Sequence, residues 1–193
     1  MQAQIILASS SPFRKVLLER LNLAFECHSP EIDEGHQAGE SAMAYVCRLA
    51  EQKAQVISNK FPNAVIIGSD QCALLDGQIL GKPGSHENAL RQLKAAQGKS
   101  VVFHTGLCVM QASTEFSEID DIQYQVRFRQ LGDQQLNHYL EIEQPYQCAG
   151  SFKSEGYGVT LFDQMSGDDP TALIGLPLIR LIQMLENTGI TVI

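Results

Sequence analysis

Two sets of opposite charge recur at the same kinds of place along this chain. Glu31, Asp33 and Glu34 fall in an acidic loop, and Asp70 stands two residues beyond a short apolar run. Arg14, Lys53, Lys82 and Lys153 fall on a first helical turn, on an apolar helix stripe, and in two glycine-rich loops. Carboxylate oxygens are hard donors that suit Mg²⁺ or Mn²⁺, ions that bind through a few of them plus substrate phosphates. The cations suit a triphosphate. Ser9, Ser10 and Ser11 add three hydroxyls just ahead of Pro12, where the free N–H groups and dipole of a helix start favour an anion. Either charge set alone would read as a solvated surface. Their shared position at strand ends and helix starts points to metal-assisted phosphate chemistry. Other chemistries lack their residues: there is no Walker loop, no G-x-G-x-x-G, no G-x-S-x-G and no H-E-x-x-H, and the five histidines show no metal-ligand spacing.

The elements that must position these groups follow from pattern and punctuation. Ile5-Ile6-Leu7-Ala8 reads as a buried strand, Ser9–Ser11 as a turn, and Pro12 as the first residue of a helix over about 12–21, capped by Ser10 or Ser11. Arg14 lies three and four residues before Leu17 and Leu18, which puts its guanidinium at the edge of the buried stripe. Capping alone also fits an ordinary amphipathic helix; the serines and Arg14 together favour a phosphate site. Phe25-Glu26-Cys27-His28 reads as a second strand. Ser41 then caps a long helix to about residue 59, with a stripe through Ala42, Tyr45, Val46, Leu49, Val56 and Ile57. Lys53 falls on that stripe, so it either snorkels to water or reaches a buried anion site.

Residues 64–68 are too short an apolar run for a helix and read as a central strand, with Ser69-Asp70-Gln71 at its carboxyl end, where ligands of α/β sheets collect. Asp76-Gly77 joins 72–75 to 78–80 in a hairpin. Ser85 caps a helix ending near Gly98, and residues 100–110 and 116–128 form an antiparallel ribbon with a basic end at Arg127 and Arg129. Asp133 starts a helix that Pro145 stops. A loop punctuated by glycine covers 148–158, a short strand 159–162, and a last amphipathic helix runs to about Asn187. Together these predict a mixed α/β (α+β) fold: an extended, twisted sheet between helices.

Composition bounds the rest. A chain of 193 residues suits one domain, 1–193, or one compact unit of two lobes. Its 44% hydrophobic and 19% charged residues are those of a soluble globular protein. A net charge of −8 with no basic stripe argues against nucleic acid as a partner, while leaving room for a small anionic ligand where a few cations gather. The five cysteines are odd in number and form no C-x-x-C pair, so reduced and mostly buried thiols are expected, as in a cytoplasmic protein. No basic region precedes an apolar stretch at the N-terminus, and no apolar run approaches the roughly 20 residues a membrane helix needs, so no membrane partner is expected. A small-molecule substrate is the expected partner; assembly as a homodimer is left open.

A resemblance adds to this reading. Ile-Leu-Ala-Ser-Ser-Ser-Pro-Phe-Arg-Lys-Val-Leu-Leu resembles the opening signature of the Maf family of nucleotide pyrophosphatases, Leu-Ala-Ser-x-Ser-Pro-Arg-Arg followed by a Leu pair. Glu31-Ile32-Asp33-Glu34, Leu49-Ala50-Glu51-Gln52-Lys53-Ala54, Gly68-Ser69-Asp70-Gln71, Gly81-Lys82-Pro83 and Gly175-Leu176-Pro177-Leu178 are similar to further motifs of that family, in the same order. The resemblance implies a Maf/ITPase-like fold, with two lobes and a cleft between them. It implies divalent-metal-dependent hydrolysis of nucleoside triphosphates to monophosphates and pyrophosphate. Asp70 would be the catalytic Asp, Glu34 and Asp70 would take the metal, and Ser9, Arg14, Lys53 and Lys82 would bind substrate.

Departures from the family pattern narrow the branch. Phe13 stands where the pattern has its first Arg, Gln71 for a Thr, Glu155 for a Gln, Lys153 for a Gly, and Cys148 for a Lys; Lys15 departs as well. Phe13, Gln71, Lys153 and Glu155 together resemble the branch that acts on N7-methyl-GTP, whose closest relatives carry Trp in place of Phe13. Methylation at N7 makes guanine cationic, and a cationic ring on an aromatic face gains on the order of 0.5–2 kcal/mol. A carboxylate at 155 accepts guanine N1–H and the N2 amino group in a fork, whereas a Gln has one acceptor oxygen; on spacing alone Glu155 fits a plain surface acid better. Two rivals stay open at this level: a pyrophosphatase for other modified or ordinary nucleotides, and a nucleotide-binding regulator of cell division without turnover.

Overall fold

In the computed structural model, which describes residues 4–193, the first strand explains the layering. β1 (Ile5–Ala8) is apolar at every position because both its faces are covered. Ile5 and Leu7 pack into one core with Leu17, Leu18, Leu181 and Leu185; Ile6 and Ala8 pack into another with Ala50, Ala54 and Ile57. The sheet therefore lies between α2 (Ala42–Ser58) on one face and α1 (Pro12–Glu19) with α5 (Leu178–Asn187) on the other. Ser11 caps α1 and Ser41 caps α2, each accepting a hydrogen bond from a first-turn N–H. α1 stops at Glu19, two residues short of the extent expected from its pattern.

Among the described residues seven strands form one sheet. After β1 come β2 (Glu26–Cys27), β3 (Val65–Leu75), β4 (Gln78–Leu80), β5 (Ser100–Gln111), β6 (Phe116–Phe128) and β7 (Phe162–Ser166). The order is β2-β1-β3-β5-β6-β7, with β4 paired to the far half of β3. β1 is parallel to β2 and β3, and every other pairing is antiparallel. This is the mixed, extended sheet expected. The three long strands β3, β5 and β6 run through two lobes. One holds β1, α1, α2 and α5. The other packs α3 (His86–Ala96) and α4 (Asp133–Glu143) over a core that includes Leu93, Phe103, Tyr139 and Phe152.

Two sequence expectations are corrected. The run at 64–68 and the first arm of the hairpin are one continuous strand, so Asp70 sits inside β3 and not beyond its end. Pairing with β5 from Ile66 to Leu74 sets that length, and a partner so distant in sequence leaves no local trace. β1 ends opposite Gly68, however, so the sheet opens beside β3 two residues before Asp70. Residues 157–161, part of which reads as a strand, form a 3₁₀ turn; β7 begins at Phe162, where pairing with Phe128 starts. Among the described residues no helix is long and apolar enough to cross a membrane.

Contact between α2 and the sheet depends on two glycines. A Cβ on Gly68 would lie 2.1 Å from the carbonyl oxygen of Ala50, and one on Gly106 would lie 2.2 Å from that of Val46. Gly106 pairs directly with Asp70 across β3 and β5, so the helix main chain lies against the sheet beside Asp70. Gly106→Ala must push the helix backbone away, since the clash is with main chain and not with a flexible side-chain end. We expect a loss of about 3 kcal/mol, the upper range for overpacking, and a fall in Tm of roughly 6–12 °C. Thermal unfolding of the variant tests this; an unchanged Tm would mean that the helix can move outward freely.

Candidate active site

Ser9, Phe13, Arg14, Glu34, Lys53, Asp70, Gln71, Lys82, Lys153 and Glu155 all line one cavity of about 620 Å³, between the two lobes. That volume is in the range of small-molecule sites. The structure thus brings every candidate residue named for catalysis, substrate, specificity or metal to one place. Glu31 and Asp33 are outside the lining; Asp33 instead accepts the N–H of Gly35 and shapes the acidic loop.

Alternation along β3 distributes the work between two faces. Asp70 points to the α2 side and is 9% exposed. Lys53, on the buried stripe of α2, is 6% exposed, and its ammonium donates to Asp70 Oδ1 at 2.6 Å and lies 2.7 Å from Glu34 Oε1. Of the two readings of Lys53, the buried one holds: its tip meets negative charge and does not snorkel out. The hydrogen bond from Lys53 holds the Glu34 carboxyl below its ordinary range, against the opposing effect of partial burial. Tyr45 on α2 donates to the Glu34 carbonyl at 3.0 Å, and Arg48 grips both oxygens of Glu40 at 2.6 and 2.9 Å. The acidic loop is therefore tied to the helix on either side of its turn, and the Glu40 carboxyl is pulled down to about 2.

Ser69 and Gln71 point to the opposite face and hold the segment before α5. Ser69 Oγ donates to the Gly175 carbonyl at 2.9 Å, and Gln71 Nε2 donates to the carbonyls of Ala172 and Leu173 at 2.7 and 3.1 Å. Arg14 Nε donates to the same Gly175 oxygen at 2.8 Å, and its Nη1 to Ser9 Oγ at 3.5 Å. Arg14 is half-buried; desolvation lowers its pKa, and the charges of Asp70 and Glu34 oppose that shift. The Gly175 carbonyl, which fixes Arg14, has no side chain to announce it. The one sequence signal is the Gly-Leu-Pro motif that carries it. Asp169 and Thr171 fasten this segment further, accepting from the N–H groups of Ile179 and Leu178 at the start of α5.

The remaining residues lie nearer the surface. Lys82 is exposed and forms no ion pair among the described residues. Phe13 is 36% exposed and, with Glu155, also borders a neighbouring apolar hollow of about 220 Å³ formed with Val16, Leu17 and Ile174. Glu155 is exposed and accepts only a hydrogen bond from Ser154 Oγ at 3.3 Å. Lys153 is directed elsewhere, donating to the carbonyl and to Oε1 of Glu143 at 2.8 and 3.0 Å. Sequence reasoning missed Glu143, which lies on α4 with no motif around it. Of the cysteines, Cys72 and Cys108 are buried, Cys47 and Cys148 half-buried, and Cys27 exposed; all five are free thiols.

Among the described residues no three His, Cys, Asp or Glu side chains gather as a metal centre. The donor set still fits a hard divalent cation that takes part of its shell from phosphates. Glu34 and Asp70 grip a single ammonium and so lie close together, and Asp70 Oδ2 has no hydrogen-bond partner among the described residues.

A family model described as Maf-like protein matches residues 4–188. The chain is 56% identical over 189 residues to the 7-methyl-GTP pyrophosphatase of Methylobacillus flagellatus, covering 98% of each chain. It is 53% identical to the 7-methyl-GTP pyrophosphatase of Nitrosococcus oceani, over 98% of this chain and 95% of that one. The Ham1 protein of Staphylococcus aureus superposes with a TM-score of 0.52 over 97% of this chain and 100% of its own, at 12% identity, a likeness of fold alone.

The Lys53 contacts predict a titration. Because the Glu34 pKa is depressed in the folded chain, its contact with Lys53 is complete at neutral pH and is lost as pH falls through that lowered value. In Lys53→Met the carboxyl should return toward the ordinary value of about 4.3. An NMR titration of the Glu34 side-chain carboxyl in both proteins measures this; identical midpoints would remove Lys53 as the cause.

Proposed function

The chain belongs to the Maf family, and from that premise we propose that it is a pyrophosphatase that hydrolyses N7-methyl-GTP to N7-methyl-GMP and pyrophosphate. The observation that carries the reading is the disposition of one cavity. Buried Asp70 and Lys53 form its floor, and Phe13 and Glu155 stand together on its rim.

The triphosphate lies along the serine turn and the start of α1. There Ser9 Oγ, the Arg14 guanidinium and the free Lys82 ammonium supply donors and positive charge as negative charge builds on the departing pyrophosphate. Asp70 orients the attacking water and takes its proton. Lys53 fixes the rotamer of Asp70 through Oδ1, which leaves Oδ2 for the water or for an ion that carries it. Glu34 and Asp70 would hold Mg²⁺ or Mn²⁺ with phosphate oxygens, and such an ion lowers the pKa of water and neutralises phosphate charge. At the rim, the Phe13 ring faces the cationic base and the Glu155 carboxylate accepts from its N1–H and N2 amino group. Gln71, with its Nε2 engaged by three acceptors, shapes the wall beside Asp70.

Turnover of a panel of triphosphates, followed by pyrophosphate release with and without EDTA, tests the reaction and the metal together. N7-methyl-GTP should lead the panel and EDTA should abolish release. Asp70→Asn should lower kcat by about a hundredfold or more while substrate still binds. Near-normal kcat in that variant would move the base elsewhere, and binding without release from any nucleotide would make the chain a regulator.

Phe13 and Glu155 act by different physics, and two variants separate them. Phe13→Ala should erode the preference for N7-methyl-GTP over GTP, because only the methylated ring is cationic. Glu155→Gln should weaken both guanine nucleotides, by roughly 1–3 kcal/mol for a donor left unpaired. The measurement is kcat/KM for N7-methyl-GTP, GTP and UTP; a wild type that prefers UTP would end the methyl-guanine assignment.

A further inference from the structure

Glu155 has almost nothing to hold its own side chain, yet the backbone that carries it is fastened on both sides to one residue. Lys153 Nζ donates to Glu143 Oε1 at 3.0 Å and to the Glu143 carbonyl, in the last turn of α4, at 2.8 Å. On the other side of Glu155, the Tyr157 N–H donates to Glu143 Oε2 at 2.8 Å. Each carboxylate oxygen of Glu143 thus takes one end of the segment 153–157. Gly156 completes the arrangement: a Cβ there would lie 2.8 Å from Glu143 Oε2, so the absent side chain is what lets the carboxylate sit under the loop. The clip is also sheltered, with the side chains of Glu143 and Lys153 15% and 26% exposed, unlike the open ion pairs that contribute little. Lys153 N donates in addition to the buried Tyr139 hydroxyl at 3.2 Å, which seats the segment on α4.

We propose that Glu143 is a positioning residue for base recognition, acting with Lys153 to hold the 153–157 segment so that Glu155 meets guanine in a fixed place. The inference rests on the reading of Glu155 given above. It reassigns Lys153: its ammonium is occupied by Glu143, so its part in specificity is to shape the loop and not to touch the nucleotide. A fork between a carboxylate and two N–H groups needs the acceptor placed to within a fraction of an ångström. A loop left loose must also be ordered at the moment of binding. Both costs fall on base binding. The reacting groups stand on β3 and α2, away from the clip, so kcat is largely spared.

The test is the ratio of kcat/KM for N7-methyl-GTP to that for UTP, measured in wild type, Glu143→Ala, Glu143→Gln and Lys153→Met. Glu143→Ala should raise KM for N7-methyl-GTP and lower the ratio by about tenfold, the scale of a modest misplacement, with kcat within about threefold of wild type. Glu143→Gln keeps an acceptor for the Tyr157 N–H and should recover part of the ratio. Lys153→Met should lower it without Lys153 ever contacting substrate, and the Glu143→Ala/Lys153→Met double variant should be no worse than Glu143→Ala alone, because both remove one clip. If Glu143→Ala fails to fold, Lys153→Met decides the matter by the same ratio. A ratio within twofold of wild type in every folded variant, or a uniform loss of kcat for both nucleotides, overturns the proposal and leaves Glu143 a structural residue. Failure of the parent reading looks different: the wild type itself would then prefer UTP.

Discussion

A lysine ammonium buried under an apolar helix stripe has to meet negative charge, and that requirement organises the middle of this molecule. Lys53 meets it with Asp70 from the sheet and Glu34 from the acidic loop. Three separate segments are thereby locked to one point, and their charges partly cancel before any ligand enters. The arrangement is possible because Gly68 and Gly106 let α2 lie against the sheet with main chain on main chain. Side chains at those two positions would lift the helix, and the ammonium would no longer reach.

The second organising feature is a strand that serves both faces of the sheet. Asp70 points to α2, while its neighbours Ser69 and Gln71 point to the segment that leads into α5. That segment returns the favour through the Gly175 carbonyl, which accepts from Arg14 as well as from Ser69. The candidate base and the candidate phosphate-binding cation are thus tied to the same three residues of β3 by alternation alone. β1 ends opposite Gly68, so the cavity opens beside these residues while the strand continues into the other lobe.

The rim is built differently from the floor. Asp70 and Lys53 stand on regular elements, and their placement follows from sheet pairing and helix packing. Phe13 stands on the first turn of α1, held by the Ser11 cap, and Glu155 on an irregular segment held by side-chain contacts from α4. A rigid floor under a loop-built rim lets the base contacts vary while the phosphate chemistry stays fixed, in line with the general tendency of specificity to sit on loops.

Much of the site was legible in the sequence because its residues announce themselves locally. Ser-Ser-Ser-Pro marks a capped helix start, Lys53 interrupts an apolar stripe, and Asp70 comes just after a short apolar run that ends at Gly68. Each is a departure from what an inert element would carry. Those signals, with the motif resemblance, determined the fold class, the element order and the candidate set, and of that set only Glu31 and Asp33 of the acidic loop stand outside the cavity lining. The sequence could not determine what depends on partners distant in the chain. The full length of β3 is set by β5; Lys153 owes its direction to Glu143 on α4; Arg14 is fixed by a backbone oxygen of Gly175; the strand expected at 159–162 yields to a 3₁₀ turn, and β7 starts only where β6 offers a partner. A local pattern records which face of an element is buried, but not which atoms will cover it. Hydrogen bonds and ion pairs between distant segments are decided by packing, so only the tertiary structure could place them.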